Sequence, residues 1–288
     1  MTFTTLIDAP ALQGLLGKPG IAIVDCRFDL GNPDNGRRAY LAGHIPGARY
    51  ADLNQDLSAA VSAKSGRHPL PAPAQLAATL NRLGIGPGIQ VIGYDDSAGA
   101  FAARLWWLLR WLGHGAVAVL DGGLKAWLAA GGELQAGPAG ADSAAAAGIP
   151  AFLPGVDAAA VLDAASVEAQ LADPGFLLID ARAPERFAGT VEPIDSVAGH
   201  VAGAVNQPFS ANLGADGRFL PAPQLRRLWE ARLAGREISR VAAMCGSGVT
   251  ACHNLLSLEV AGLSGAKLYP GSWSEWIRDP NRPIARGA

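Results

Sequence analysis

Cysteine is scarce and scattered. Only three stand in 288 residues, at positions 26, 245 and 252, and no two are spaced as CxxC. An odd, dispersed set makes no disulfide framework and suits a reducing compartment. No HExxH or other metal-ligand spacing occurs, so no metal site and no cofactor are expected. Charge is sparse too: Asp, Glu, Lys and Arg make up 17% of the chain, and the net charge is −2 with no basic cluster. That argues against a nucleic-acid-binding surface and against a polybasic membrane anchor. Long apolar runs are missing. The most apolar segment, 101–112, holds Arg104 and Arg110 and is too short to span a bilayer. The N-terminal stretch MTFTTLIDAPALQGLL lacks the cationic start and long apolar core of a secretory signal, so the cytoplasm is the expected location.

What the chain has is a repeat. IAIVD at 21–25 matches LLID at 177–180, with Arg27 and Arg182 each two places after the aspartate. AGHIPGA at 42–48 matches AGHVAGA at 198–204, QVIGYD at 90–95 matches RVAAMC at 240–245, and VLDGGLKAW at 119–127 matches LYPGSWSEW at 268–276. The matches keep their order and lie about 150 residues apart, far too long a period for a solenoid, so a domain has been duplicated. Half of the residues are apolar, enough for two cores. The expected boundaries are a first domain at 1–136, a linker at 137–156 rich in Ala, Gly and Pro, and a second domain at 157–288. In the first copy, apolar runs at 21–25, 90–94 and 116–120 read as strands, and 73–83, 99–112 and 124–130 as helices. Pro73 suits a first helical turn and Gly84 a helix stop. Strands alternating with helices predict an α/β fold in each copy, a mostly parallel sheet flanked by helices on both faces.

The two copies are not equivalent. VAAMCGSGVT at 241–250 reads as strand, tight loop and helix start, with Cys245 where the first copy has Asp95. A strand ending there brings the sulfur to the carboxyl edge of a sheet. Two glycines let the backbone curl with N–H groups pointing inward, and the helix presents its positive end to the same point. Each feature favours a thiolate nucleophile at Cys245. A phosphatase of the Cys-x5-Arg kind needs an arginine where Ala251 stands, and a thioredoxin-like role needs a CxxC partner that is absent. Sulfur transfer fits: a thiolate in a ring of N–H donors can accept a neutral sulfur atom and hold the resulting persulfide anion.

These motifs together resemble the tandem-domain sulfurtransferases of the rhodanese superfamily, which use thiosulfate or 3-mercaptopyruvate. The resemblance rests on DCR and DAR at Asp25 and Asp180, GHIPGA and GHVAGA, WWLLRWLGH, LDGGLKAW, CGSGVTACH and GSWSEW, and covers essentially the whole chain. It implies that Cys245 carries the persulfide and that Gly246, Gly248, Val249 and Thr250 line the donor site. A small-molecule sulfur donor and a thiol acceptor such as thioredoxin or glutathione, or cyanide, are the implied partners. A CGSGVT loop resembles the 3-mercaptopyruvate type, because thiosulfate enzymes usually carry Arg and Lys where Gly246 and Ser247 stand. The resemblance makes Ser247 a proton relay, His68 its partner, and Arg186 the arginine that grips the donor anion. By residue type alone, Ser247 is equally a turn or helix-cap residue, His68 a surface histidine in a Pro-rich loop, and Arg186 a solvated helix-face arginine.

Two departures stand against the mercaptopyruvate pattern. Asp195 occupies the place of a usual second arginine, nine residues after Arg186, and Asn54 replaces an acidic partner of the histidine, with Asp52 and Asp56 close in sequence. Arg186 is then the only cation expected at the donor site. His44 and His200, like the two Asp–Arg pairs, recur in both copies and are expected to be structural. Trp273 and Trp276 are expected to pack near the site. The preferred reading is a 3-mercaptopyruvate sulfurtransferase. A thiosulfate enzyme with the same intermediate and a non-catalytic persulfide carrier are the alternatives.

Overall fold

Short β-rich runs alternate with helix-forming segments, and the structure, a computed structural model, describes residues 2–138 and 149–287. Contacts sort the chain into two units. The first comprises Met1–Ala59, Pro71–Asp157 and Asp216–Arg218, and the second Ala60–Leu70, Ala158–Ala215 and Phe219–Ala288. The chain is therefore not divided at a single point. Of the linker expected at 137–156, residues 139–148 lie outside the described residues. Residues 149–157 belong to the first unit, where the Phe152 N–H donates to Asn81 Oδ1 at 2.8 Å and the Gly155 N–H to the Leu112 carbonyl at 2.9 Å.

In the first unit, β1 (Leu6–Ile7), β2 (Ile21–Asp25), β3 (Arg49–Tyr50), β4 (Gln90–Tyr94) and β5 (Val117–Leu120) form one sheet in the order β1-β5-β4-β2-β3. Every pairing in it is parallel. Side chains alternate across a strand, so both faces need cover. Ile92 and Tyr94 lie on one face, in a core with Leu12 of α1 (Ala9–Gln13) and Trp127 of α5 (Gly123–Ala129). Gly93 lies on the other, where a Cβ would meet Leu105 and Ala102 of α4 (Ala102–Trp111) at 3.3 and 3.6 Å. The remaining helices of this unit are α2 (Asp34–Ala42) and α3 (Pro73–Arg82), and Pro73 does open its first turn. The expected helix at 99–112 begins at Ala102 instead, because the preceding N–H groups turn inward to a carboxylate.

The second unit repeats the scheme. Its strands are β6 (Leu177–Asp180), β7 (His200–Val201), β8 (Val205–Asn206), β9 (Val241–Met244), β10 (Lys267–Leu268) and β11 (Ile284–Ala285). The main sheet runs β10-β9-β6-β8, all parallel, and β11 pairs antiparallel with β7. Leu178, Ala242 and Met244 face a core with Val167 of α6 (Ala164–Gln170) and Trp273 and Trp276 of α10 (Ser272–Trp276). Trp229 of α8 (Ala222–Leu233) and Ser257 of α9 (Thr250–Val260) are joined by an indole N–H to hydroxyl bond of 2.8 Å. No helix among the described residues is long and apolar enough to cross a membrane.

The duplicated motifs make the same contacts in each unit. Arg27 grips Asp25 and donates to the Gly43 carbonyl at 2.7 Å, and Arg182 grips Asp180 and donates to the Gly199 carbonyl at 2.8 Å. Each guanidinium ties the end of a central strand to the GHxxGA turn. His44 stacks on Tyr40 and bonds its carbonyl through Nδ1, and His200 does the same with Phe187. All four charged groups are buried, so breaking one pair leaves a charge without its partner. Arg182→Met should lower stability by about 3–5 kcal/mol, read by urea unfolding, and Asp180→Asn/Arg182→Met should cost less. An unchanged midpoint in Arg182→Met would contradict this role.

Candidate active site

The strand β9 ends at Met244, and Cys245 follows at the carboxyl edge of the sheet, 2% exposed. The loop then turns through Gly248, whose φ of +77° is left-handed and where a Cβ would stand 2.4 Å from the Pro270 carbonyl oxygen. Only glycine fits both conditions. The turn points the Gly248 N–H at the cysteine, 3.1 Å from Sγ. Three further bonds hold the loop from below. The Cys245 N–H donates to Ser272 Oγ at 3.1 Å, the Trp273 N–H to the Cys245 carbonyl at 3.0 Å, and the Ser274 N–H to the Gly246 carbonyl at 2.9 Å. Ser272 itself sits at a φ of +54°, a conformation costing a non-glycine residue about 1–3 kcal/mol. Its hydroxyl donates to the Tyr269 carbonyl at 2.9 Å, which fixes the oxygen for the Cys245 N–H.

The first unit shows what this loop does when filled. Asp95 stands in the cysteine's place, and its carboxylate accepts from the N–H groups of Ser97, Gly99, Phe101 and Ala102, each at 2.8 Å. Ala98 takes a left-handed φ of +55°, as Gly248 does, and the Leu124 N–H donates to the Asp95 carbonyl as Trp273 does to Cys245. The same backbone path therefore wraps a buried carboxyl group in four N–H donors; burial pushes Asp95 up, and those N–H groups oppose it. The other cysteines sit elsewhere. Burial, then the charges of Asp25, Asp95 and Asp56, push the Cys26 thiol well up. The Cys252 thiol is buried and donates to the Gly248 carbonyl at 3.3 Å. None of the three cysteines forms a disulfide.

A strap from before α3 reaches this loop. Gly66 lies so close to Gly271 that a Cβ on it would stand 2.4 Å from the Gly271 oxygen, and the next N–H, that of Arg67, donates to Ser274 Oγ at 3.0 Å. His68 then falls against the cysteine loop, its Nδ1 2.7 Å from Ser247 Oγ, with both residues about 5% exposed or less. His68 is thus no surface histidine. Ser247 does not cap α9 either: Val249 precedes that helix and makes no side-chain capping bond. Asp52 and Asp56, near Asn54, serve their own loop in the first unit: Asp52 accepts from the Asn54 and Gln55 N–H groups, and Asp56 from the Asp52 N–H.

Arg186, in α7 (Pro184–Ala188), is paired rather than free in solvent, with 17% of its side chain exposed. Its Nε and Nη2 grip Glu192 at 2.7–3.1 Å, and Nη2 also donates to Asp195 Oδ2 at 3.0 Å. Burial pushes the Glu192 carboxyl up, but Arg186 and the N–H groups of Asp195 and Ile194 outweigh it and hold it below the usual carboxylate range. Burial raises Asp195, against the pull of Arg67 and Arg186. The other oxygen of Asp195 accepts from Arg67 Nη1. Arg67 corrects the expectation of a single cation: an ideal Cβ on Gly246 would lie 2.9 Å from Arg67 Nη2 and 3.5 Å from Arg186 Nη1. Sequence reading passed over Arg67, Ser272 and Ser274, although each is next to a residue it singled out.

The parallel sheet thus delivers a cysteine to a tight loop with a buried serine–histidine pair and two arginines beside it. The rhodanese-like domain family matches the chain twice, at residues 8–130 and 163–279, and the chain belongs to that family. A probable 3-mercaptopyruvate sulfurtransferase of Pseudomonas aeruginosa is 51% identical over all of both chains. A putative thiosulfate sulfurtransferase, SseB, of Mycobacterium tuberculosis is 43% identical over 98% of this chain and 97% of its own. Among solved structures, SseA from Escherichia coli, a 3-mercaptopyruvate sulfotransferase, superposes with a TM-score of 0.78 at 32% identity, covering 95% of this chain and all of its own.

The strap's hold on the loop is testable without turnover. Ser274→Ala deletes the acceptor for the Arg67 N–H, a bond worth about 1 kcal/mol, so the strap should open about fivefold more often. Trypsin cleavage after Lys64 or Arg67 should accelerate accordingly. Equal cleavage rates would show that the serine does not hold it.

Proposed function

We propose that the chain is a sulfurtransferase that takes sulfur from 3-mercaptopyruvate and passes it to a thiol, or to cyanide, through a persulfide on Cys245. The observation that carries this reading is the loop itself. Its Gly248 N–H points at Sγ, and the same path in the first unit holds a carboxylate with four N–H groups. Such a loop stabilises a thiolate before the reaction and a persulfide anion after it. The relatives named for 3-mercaptopyruvate support the choice of donor.

In the first step the Cys245 sulfur attacks the thiol sulfur of the donor. An S–S bond forms, the donor's C–S bond breaks, and its electron pair leaves with the carbon as the enolate of pyruvate. That carbon takes a proton. Ser247, bonded to His68, stands two residues from the nucleophile and is the group we assign to proton transfer. In the second step an acceptor thiolate attacks the outer sulfur and Cys245 leaves as thiolate, a ping-pong cycle. The donor's carboxylate is assigned to Arg186, and Gly246, Gly248, Val249 and Thr250 line the loop. Three cysteines outside any disulfide fit a cytoplasmic setting, with thioredoxin or glutathione as acceptors of the right chemistry. Thiosulfate stays as the second reading because a relative carries that name.

Incubation with 3-mercaptopyruvate and no acceptor should add one sulfur, about 32 mass units, to the peptide holding Cys245, and Cys245→Ser should lose both adduct and turnover. An adduct mapping to Cys26 or Cys252 would falsify the assignment. Ser247→Ala and His68→Ala should each lower kcat about 10²–10⁴-fold with 3-mercaptopyruvate, the usual size of an acid–base contribution. Rates within a factor of two of the unchanged protein would remove the pair from the mechanism.

A further inference from the structure

Arg67 lies in a polar loop that no motif marks, yet its guanidinium stands beside the residue that follows the nucleophile. Three observations separate it from an ordinary ion pair. First, Arg67 and Arg186 flank the same point: the missing Cβ of Gly246 would lie 2.9 Å from one guanidinium and 3.5–3.6 Å from the other. Second, Asp195 gives Oδ1 to Arg67 and Oδ2 to Arg186, so one carboxylate bridges two guanidiniums. Third, Arg67 Nε is buried and has no hydrogen-bond partner, so Asp195 leaves the donors of this guanidinium incompletely satisfied. The side chain of Asp195 is 4% exposed and that of Arg67 27% exposed.

The arrangement is one end of a longer chain of charge. Asp180 holds Arg182, Arg182 reaches Glu192 at 3.4 Å, Glu192 holds Arg186, Arg186 reaches Asp195, and Asp195 holds Arg67. Three cations face three carboxylates, so the network is neutral. A monoanion arriving at its Arg67 end leaves the cluster with one uncompensated charge, and a dianion leaves two.

We propose that Arg67 is a second anion-binding residue of the donor site, and that Asp195 is an internal carboxylate which occupies the two-arginine cradle until a donor carboxylate displaces it. The inference rests on the sulfurtransferase reading for its substrate but not for its geometry. Asp195 then sets specificity, because its retained charge penalises a dianion more than a monoanion. Gly246 leaves room for Arg67: a Cβ there would lie 2.9 Å from Nη2, so a side chain at 246 would require the guanidinium to shift.

The test uses pyruvate, the carboxylate product, as a probe of binding by calorimetry at up to tens of millimolar, beside kinetics with 3-mercaptopyruvate and thiosulfate. Arg67→Gln should weaken pyruvate binding and raise KM for 3-mercaptopyruvate by about tenfold or more, with kcat changed far less. Arg67→Lys should recover part of the loss, since it keeps the charge and loses the fork. Asp195→Asn should tighten pyruvate several-fold and move the ratio of kcat/KM values towards thiosulfate. The proposal is overturned by any of three results: no pyruvate binding in the unchanged protein, unchanged binding in a folded Arg67→Gln protein, or weaker binding in Asp195→Asn. Failure of the sulfurtransferase reading looks different, as an absent Cys245 adduct in the unchanged protein whatever the pyruvate result.

Discussion

The structure depends on one backbone turn. A strand ends, the chain passes through a left-handed residue, and loop N–H groups, four in the first unit and that of Gly248 in the second, face the side chain at the strand's end. In the first unit that side chain is the carboxylate of Asp95, and the turn is completed at Ala98. In the second it is the sulfur of Cys245, and the turn is completed at Gly248. A buried anion is costly unless donors surround it, and here the backbone supplies them. The first unit uses this to fix its own loop. The second leaves the position to a group that can react. The two units differ there in the side chain at the strand's end, and the second adds Ser247, His68 and two arginines around it.

A turn of this kind must be held. The motif after the last sheet strand does so in both units, through Leu124 to Asp95 in one and Trp273 to Cys245 in the other. In the second unit Ser272 and Ser274 add two side-chain contacts, one to the Cys245 N–H and one to the strap that carries Arg67 and His68. The buried tryptophans anchor this motif rather than meet a ligand: the Trp273 indole donates to the Val197 carbonyl at 2.9 Å, and the Arg182 guanidinium lies 4.9 Å from its ring centroid. Packing, the charge network and the loop are thus one continuous support, and strain at Ser272 is tolerated because neighbours over-determine it.

Local pattern carried the fold well. The strands at 21–25, 90–94, 177–180 and 241–244 stand out as short apolar runs, and the parallel sheets follow from their alternation with helices. The repeated Asp–Arg and His motifs are legible as structural because a copy with Asp95 in the place of Cys245 has no use for them otherwise. Ser247 and His68, 179 residues apart, come together as the resemblance implied. Arg67 was not legible. A single arginine in a polar loop has no periodicity, and its importance comes from a strap that packs with the second unit despite its place early in the chain. Its position directly before His68 was the available signal. Asp195 was read as a missing arginine. In space it bridges two arginines, so the cation absent at 195 is supplied by position 67.

We propose that a persulfide forms on Cys245 in a charge-balanced site that favours a monoanionic donor. The most direct measurement is steady-state kinetics of the unchanged protein with 3-mercaptopyruvate and with thiosulfate, each against cyanide. Parallel double-reciprocal lines and a higher kcat/KM for 3-mercaptopyruvate are predicted. Intersecting lines, or faster turnover of thiosulfate, would contradict it.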